Sequence, residues 1–434
     1  MDKNQVLLNQ MHKYFSRAAT NQNRDVVISS GKGSYVYDAN GKQYIDLLSS
    51  ATTANVGHCN PHVVHAIQKQ AAKLLDYTPV YFANTTEVNL MPKLLKTIPM
   101  HGPLELSWGT SGSESDDSII KFARGYTRRP YVISYDGSCH GSDYGGASAT
   151  GEVDQVRNIG PLLPGIIKVP YPAPWLKLKG ETEDQFVDRL FNEFLMPFEN
   201  YVPADETAVI MVEPIQGDGG IIKAPEKYLQ KVYHFAHQHG ILFAVDEINQ
   251  GLGRSGTWWS IQHFHNIEPD ILVTGKALAS GLPLSATIGK KAIMESLVFP
   301  EDAFTTAGNP VVAAACSATL DVIQQEHLVT RSKKMGPFAK KFFDEEASKY
   351  PFIGDVRMYG LNGGIDVVKP GTKKFDPKLA EKICDLLVKN GVIMTTTNFS
   401  VLRFQPPLVI KKSTLSKAFI IIDHVFKEIN QHYI

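Results

Sequence analysis

Lys276 sits in the stretch PDILVTGKALASGLP, with Gly275, Ala277, Ala279, Ser280 and Gly281 around it. Small neighbours give a lysine little packing role. A buried ammonium is costly, so the amine readily sheds its proton and becomes a nucleophile suited to Schiff-base chemistry. A strand-end lysine that simply reaches solvent is the competing reading. Asp246 closes a second apolar stretch, GILFAVDEIN, and would present a carboxylate beside that amine. A structural Asp–Lys ion pair is the plain alternative here.

A third stretch, SWGTSGSESDDSIIKFAR, begins an amphipathic helix at Ser111-Gly112-Ser113. Free backbone N–H groups, the helix dipole and two hydroxyls make such a start a phosphate site. An ordinary serine N-cap followed by the acidic residues Glu114, Asp116 and Asp117 would have the same outward look. Lysine, carboxylate and phosphate cup together match what pyridoxal phosphate needs. Its aldehyde condenses with the lysine, and its ring nitrogen needs a carboxylate partner to stay protonated and act as an electron sink.

Those groups meet only if particular elements deliver them. Ile271-Leu272-Val273 reads as a buried strand of a parallel sheet, with Lys276 at its carboxyl end, where open α/β sheets place ligands. The run before Asp246 reads the same way. Further strands are expected near 131–135, 166–169 and 208–212, alternating with helices as in a parallel sheet covered on both faces. Ser34 to Asp46 is a hairpin pattern about Asn40-Gly41. Residues 1–20 and 62–76 have helical patterns. Another runs from 310 to 346 with an interruption at Gly336-Pro337. The rest, strands near 352–367 and 392–404 with helices near 376–390 and 413–430, is α+β in character.

Composition narrows the partners. The 434 residues, by length alone about three domains, carry 44 basic against 44 acidic side chains. No basic field is present to recruit nucleic acid or an anionic membrane. The amino-terminal residues lack a signal peptide's apolar core and no long apolar run suggests a membrane span, so a cytoplasmic protein is expected. Cys59, Cys139, Cys316 and Cys384 lack CxxC spacing, which indicates neither disulfides nor zinc. His234, His237, His239, His263 and His265 have no acidic or cysteine partner at ligand spacing, so no metal is expected. Gly251-Leu252-Gly253-Arg254-Ser255-Gly256 matches GxGxxG, but it neither follows its strand at once nor opens a helix, so it is not read as a dinucleotide site. Adjacency in sequence does not make Cys139 and His140 a nucleophile–base pair.

The set SGSESDDSIIKFAR, EPIQGDGG, DEINQGLGRSG, TGKALASGLP, TTAGNP and LRFQPP resembles the class III (ω-type) aminotransferases, fold type I pyridoxal-phosphate enzymes. The resemblance runs from about Gly33 to about Leu408, with the motifs in family order. EPIQGDGGIIKAPE, DEINQGLGR, FTTAGNPV and GDVRMYGLNGGI are most similar to the amino-acid epimerase branch, typified by isoleucine 2-epimerase. The resemblance implies an α/β fold: a large, mostly parallel sheet domain over 56–320, and a smaller α+β domain built from segments 1–55 and 321–434.

It also implies roles for individual residues. Lys276 would bind the cofactor covalently, Asp246 would hold its ring nitrogen, and Ser111, Gly112 and Ser113 its phosphate. Thr305 matches the family threonine that reaches the phosphate across a subunit interface, so the active site would be built in a homodimer or homotetramer. Ile248 would pack on one ring face. Asn249 stands where many relatives carry glutamine beside the ring hydroxyl and is one methylene shorter, so an indirect contact is expected. The family stacks an aromatic residue on the other face, just before a His-Gly pair. Here the sequence is Cys139-His140-Gly141, which removes a partner normally worth about 0.5–1.5 kcal/mol and leaves His140 or Tyr144 to compensate.

Glu213 and Asp218 lie in EPIQGDGG. The position of Asp218 is commonly a glutamate that neutralises an arginine in a pattern matched by Leu402-Arg403-Phe404. Arg403 is therefore the candidate clamp for an amino acid's carboxylate. Tyr81, Phe82, Tyr144 and Trp258 are candidates to line an uncharged side-chain pocket. The expected activity is racemisation or 2-epimerisation of an apolar amino acid such as isoleucine. Lys276 would act on one face of Cα and Asp218 on the other, with His140 and Cys139 as reserve acids. Transamination with a keto acid is the alternative, and a scaffold without chemistry is the rival from another class.

Overall fold

The computed structural model describes residues 2–20, 24–397 and 400–433. In chain order its strands are β1 Ile28–Lys32, β2 Tyr35–Asp38, β3 Gln43–Asp46, β4 Leu104–Gly109, β5 Tyr131–Tyr135, β6 Ile166–Val169, β7 Thr207–Val212, β8 Ile215–Gln216 and β9 Ile222–Lys223. There follow β10 Leu242–Asp246, β11 Ile271–Thr274, β12 Ser285–Lys290, β13 Ile353–Met358, β14 Gly363–Val367, β15 Val392–Ile393, β16 Thr395–Thr396 and β17 Val401–Phe404.

The large sheet has the order β4-β12-β11-β10-β7-β5-β6. Every pair from β11 to β6 is parallel. Side chains alternate between the two faces of a strand, and the sequence exploits this. Ile210, Val212, Phe243, Val245 and Leu272 join one core, while Val209, Met211, Ala244, Ile271 and Val273 join the core on the other face. Both faces are apolar, so the central strands are continuous apolar runs flanked by helices. The class expected from the sequence, α/β with a large and mostly parallel sheet, is the one observed.

β4 and β12 are not among the strands read from the sequence. β12 runs antiparallel to both β11 and β4, so it is the one reversed strand of the sheet. Two reversals return β4 to the direction of β11. Its carboxyl end, and the helix Gly112–Thr127 that follows, therefore reach the same sheet edge as Lys276.

The amino-terminal strands do not stand alone. β1, β2 and β3 form one sheet with β15, and Ile45 and Asp46 pair in parallel with Val392 and Ile393. A third sheet, β13-β14-β17-β16, carries Arg403 on β17. Asn398 and Phe399, within the expected strand region 392–404, lie outside the described residues.

The helical patterns over 1–20 and 62–76 are realised as the shorter helices Lys3–Tyr14 and Pro61–Ala71, and a third pattern is divided differently from expectation. The pattern over 310–346 is two helices, Pro310–Gln325 and Leu328–Lys349, and the break falls at Glu326-His327, not at Gly336-Pro337. His327 adopts φ 51° there, while Pro337 stays inside the second helix. Gly336 marks a close approach instead: a Cβ at that position would lie 2.6 Å from the Gly360 carbonyl oxygen.

The GxGxxG segment is a turn that holds a buried cation. Arg254 is fully buried and donates to the carbonyls of Leu361 and Pro406 and to the side chains of Asn55 and Ser49. Ser49, Ser50, Ala51 and Thr52 all have positive φ, between 49° and 68°. A left-handed turn of non-glycine residues costs roughly 1–2 kcal/mol per residue. Arg254 and Asp46, whose Oδ1 accepts from the Leu48 and Ser49 N–H groups, help to hold it.

Candidate active site

β10 and β11 are neighbours in register, with Asp246 opposite Val273. Asp246 therefore ends one strand beside the turn that starts at Lys276, which has φ 42° and stays partly accessible. That turn rests on the helix start: a Cβ at Gly275 would lie 3.5 Å from Gly112 Cα. Gly112 also faces Ile248, whose Cδ1 would be 2.9 Å from a Cβ there. Absence of a side chain at 112 is what lets the ring-packing candidate, the helix start and the lysine turn converge.

Ser111 caps the helix, its hydroxyl accepting from Glu114 N–H at 3.2 Å. The first N–H groups of a helix have no partner within it and remain directed at this crevice. Ser113 Oγ accepts from the N–H groups of Ser142 and Asp143, both at 2.8 Å, so it shapes the rim of the cup.

His140 lies beneath Asp246. Its Nδ1 is 2.9 Å from Asp246 Oδ2 and 3.6 Å from Asp116 Oδ1, and the ring is wholly buried. The three donor atoms fall within 4.8 Å of one another. This placement corrects two expectations. His140 neither replaces the missing stacking residue nor serves as a reserve acid, because it faces carboxylates inside the protein.

Cys139, the preceding residue, is only partly buried. Its N–H donates to Glu213 at 2.9 Å, and its Sγ accepts from Gln155 Nε2 at 3.5 Å. Burial, with Glu213 next, pushes the thiol up, against an opposing pull from Lys276. Glu213 also accepts from Gly217 N–H at 2.7 Å and so ties the Cys139 loop to the Asp218 loop. Burial, then the charge of Asp246, pushes Glu213 up to about 7.

β8 and β9 pair as a short hairpin that presents Asp218. Asp218 forms an ion pair with Arg403, and both line a cavity of about 630 Å³ with Arg24, Leu48, Gln155 and Met394. Burial pushes the Arg403 guanidinium down from its usual range. Asn249 is nearly buried. Its Oδ1 accepts from Gln405 Nε2 at 3.2 Å, and its Nδ2 has no protein partner among the described residues.

The pocket-lining candidates do not converge within one chain. Trp258 borders a separate depression with Lys93, Thr97 and Gln324 and does not line the cavity that holds Arg403. Tyr144 is exposed, and its hydroxyl donates to the Ile159 carbonyl at 2.8 Å. Tyr81 and Phe82 are exposed too, in ring contact with Phe299 and Tyr77 respectively. Thr305 is exposed on the loop before the helix Pro310–Gln325. Asp302 anchors that loop by accepting from Ser107, Ser118 and Lys121.

Sequence reasoning missed Asp116 and Gln405 as parts of the site. Asp116 did leave a signal. It shares the i, i+3, i+4, i+7 stripe of Ile119, Ile120 and Ala123, so a carboxylate falls on the helix's apolar face.

The donor set fits pyridoxal phosphate. An open helix start suits a phosphate, a strand-end carboxylate suits a ring nitrogen, a lysine turn lies at the same sheet edge, and the Asn249 amide nitrogen is left without a protein partner among the described residues.

Comparison with known proteins agrees. A family model described as aminotransferase class-III matches residues 15–426. The chain is 51% identical over 428 residues to an isoleucine 2-epimerase of Lentilactobacillus buchneri, covering 98% of this chain and 95% of that protein. It is 36% identical to a leucine/methionine racemase of Thermococcus litoralis, covering 99% and 97%. Among solved structures, an omega transaminase of Pseudomonas jessenii in complex with PMP superposes with a TM-score of 0.91 at 25% identity, covering 98% of each chain.

Proposed function

Because the chain belongs to the class III aminotransferase family and is a pyridoxal-phosphate enzyme, we propose that it racemises or 2-epimerises amino acids with apolar side chains, isoleucine among them. The observation that carries this reading is the likeness, over nearly the whole chain, to an isoleucine 2-epimerase. Pyridoxal phosphate supplies an aldehyde that takes up amines and a ring that accepts electron density from Cα.

The chain's own residues supply the rest. Arg403 binds the substrate carboxylate through paired N–H donors. Lys276 holds the cofactor at rest and, once displaced, takes a proton from Cα on one face. Asp218, once freed from Arg403 and protonated from solvent, gives that proton to the other face of Cα, directly or through a water. Asp246 holds the ring nitrogen, Ile248 packs on the ring, and Ser111, Gly112 and Ser113 hold the phosphate. Cys139 covers the face where relatives carry an aromatic residue and is the remaining reserve acid.

A second copy is proposed to complete the site, with Thr305 reaching the phosphate bound by its neighbour. The exposure of Thr305 supports this, as does the exposed apolar group Tyr77, Tyr81, Phe82, Val298 and Phe299. The division into segments 1–55, 56–320 and 321–434 is likewise proposed, supported by the pairing of β3 with β15. No described helix is long and apolar enough to cross a membrane, and a cytoplasmic enzyme is proposed.

Incubating L-isoleucine with the holoenzyme in deuterated water, without a keto acid, tests the activity. The 2-epimer carrying deuterium at Cα is the expected product. Product that forms only when a keto acid is supplied would make the protein a transaminase, the reading favoured by the PMP-bound structural relative.

A further inference from the structure

We propose that Asp116 is a positioning residue for the carboxylate at the ring nitrogen: through His140 it fixes the orientation and the net charge that Asp246 presents to the cofactor. The proposal rests on pyridoxal phosphate being bound against Asp246.

Three elements bring the groups together. Asp116 projects from the buried stripe of the helix Gly112–Thr127, Asp246 ends β10, and His140 lies in the loop after β5. Their exposures are 1%, 3% and 0%. The single Nδ1 of His140 is in hydrogen-bond range of Asp246 at 2.9 Å, while Asp116 stands at 3.6 Å and acts on it as a charge. Asp116 Oδ1 and His140 Nε2 have no hydrogen-bond partner among the described residues. Each is therefore a costly polar atom unless the trio acts as one unit.

The charge arithmetic gives Asp116 its purpose. A protonated His140 beside Asp246 alone would be a neutral pair and would cancel the pull on a ring nitrogen. With a second carboxylate behind the imidazole, one proton shared by the trio leaves one net negative charge whether it rests on His140 or on Asp116, so Asp246 can both accept from His140 and attract the ring N–H. Glu213, at the end of β7, also acts on this cluster from the fourth direction. Burial, then Asp246, pushes Asp116 well above the usual carboxylate range. Burial alone would lower His140, but Asp116 and Asp246 together more than reverse that. The cluster thus retains protons that the unfolded chain would release near pH 3.8 from Asp116 and near 6.5 from His140. Groups raised in the folded state stabilise it at low pH, and that stability is lost as pH rises.

Asp116→Asn, His140→Asn and the double variant test the idea, with Asp116→Ala as a companion should the asparagine misfold. Two readouts are needed: visible absorption of the holoenzyme between about pH 6 and 9, and melting of the apoprotein over the same range. In Asp116→Asn the pH at which the bound cofactor's spectrum changes should fall by about one unit. The turnover number above that pH should fall roughly tenfold, with KM for the amino acid little changed. The wild-type apoprotein should lose stability more steeply with rising pH than the variant does. Adding Asp116→Asn to His140→Asn should change neither readout. Superimposable spectra and parallel melting curves would overturn the proposal, as would additive effects in the double variant. If the protein does not take up pyridoxal phosphate, the cofactor reading fails, and the apoprotein curves still judge the link between Asp116 and His140.

Discussion

Asp218 and Arg403 are paired at the mouth of the candidate site, with 24% of the Asp218 side chain exposed against 9% of Arg403. The proposed clamp is thus closed on the protein's own carboxylate. A substrate carboxylate that took Arg403 would release Asp218, so binding and the freeing of the proposed acid would become one event. Asp218→Asn should lower epimer formation by about 100-fold or more. Deuterium from solvent should still enter Cα of one stereoisomer with retention. NMR of recovered isoleucine checks both outcomes, and unchanged epimerisation would move the acid's role to Cys139.

Lys276→Ala and Asp246→Asn should fail in different ways. Without Lys276, borohydride should no longer fix the cofactor to the protein and turnover should vanish, while weak binding through the helix start persists. Asp246→Asn should still be labelled at Lys276 but lose orders of magnitude in rate, since the ring nitrogen loses its charged partner. Peptide mapping and absorption spectra separate the two. Equal turnover in Asp246→Asn would assign the ring nitrogen to another carboxylate.

Glu213, pushed up to about 7 by burial, gives a pH signature. Its folded form holds a proton that the unfolded chain has released, so its contribution to stability declines as pH rises from about 4.5 to 7. Glu213→Gln removes that decline, at the cost of one of the bonds from Cys139 and Gly217. The melting temperature of the variant relative to wild type should therefore rise between those pH values. A constant difference across the range would contradict the assignment.

Arg254→Leu should be among the most destabilising single changes. It strands the carbonyls of Leu361 and Pro406 in the interior, at about 1–3 kcal/mol for each acceptor. It also removes one restraint on the left-handed turn at Ser49–Thr52. Urea unfolding should show the loss as a lower midpoint, and a change below about 0.5 kcal/mol would show that the turn and carbonyls find other partners.

Much of the site's framework was legible in the residues. The runs before Asp246 and Lys276 are apolar on both faces, as strands of a covered parallel sheet are, and such sheets expose functional groups at carboxyl ends. β12 escaped because Ser285-Ala-Thr-Ile-Gly-Lys290 is short and broken by small residues, and its reversed direction depends on β4 far earlier in the chain. Gly336-Pro337 suggested a break by local propensity, but the helix runs on through both, with Gly336 set close against Gly360. The burial of His140 under Asp246, and the left-handed turn in an ordinary Ser-Ser-Ala-Thr, depend on distant partners that no local pattern announces.

The pairing of β3 with β15 bears on how the chain is made. Residues 28–46 leave the ribosome early, yet the edge at Ile45 and Asp46 has no neighbour until Val392 and Ile393 have been synthesised. At about 5–20 residues per second that interval is on the order of tens of seconds. During it, the hairpin offers an unpaired strand edge in a crowded cell, the feature most prone to pairing with a foreign chain. Nascent chains stalled before residue 392 should accordingly be the most aggregation-prone intermediates of synthesis and the ones most dependent on chaperones.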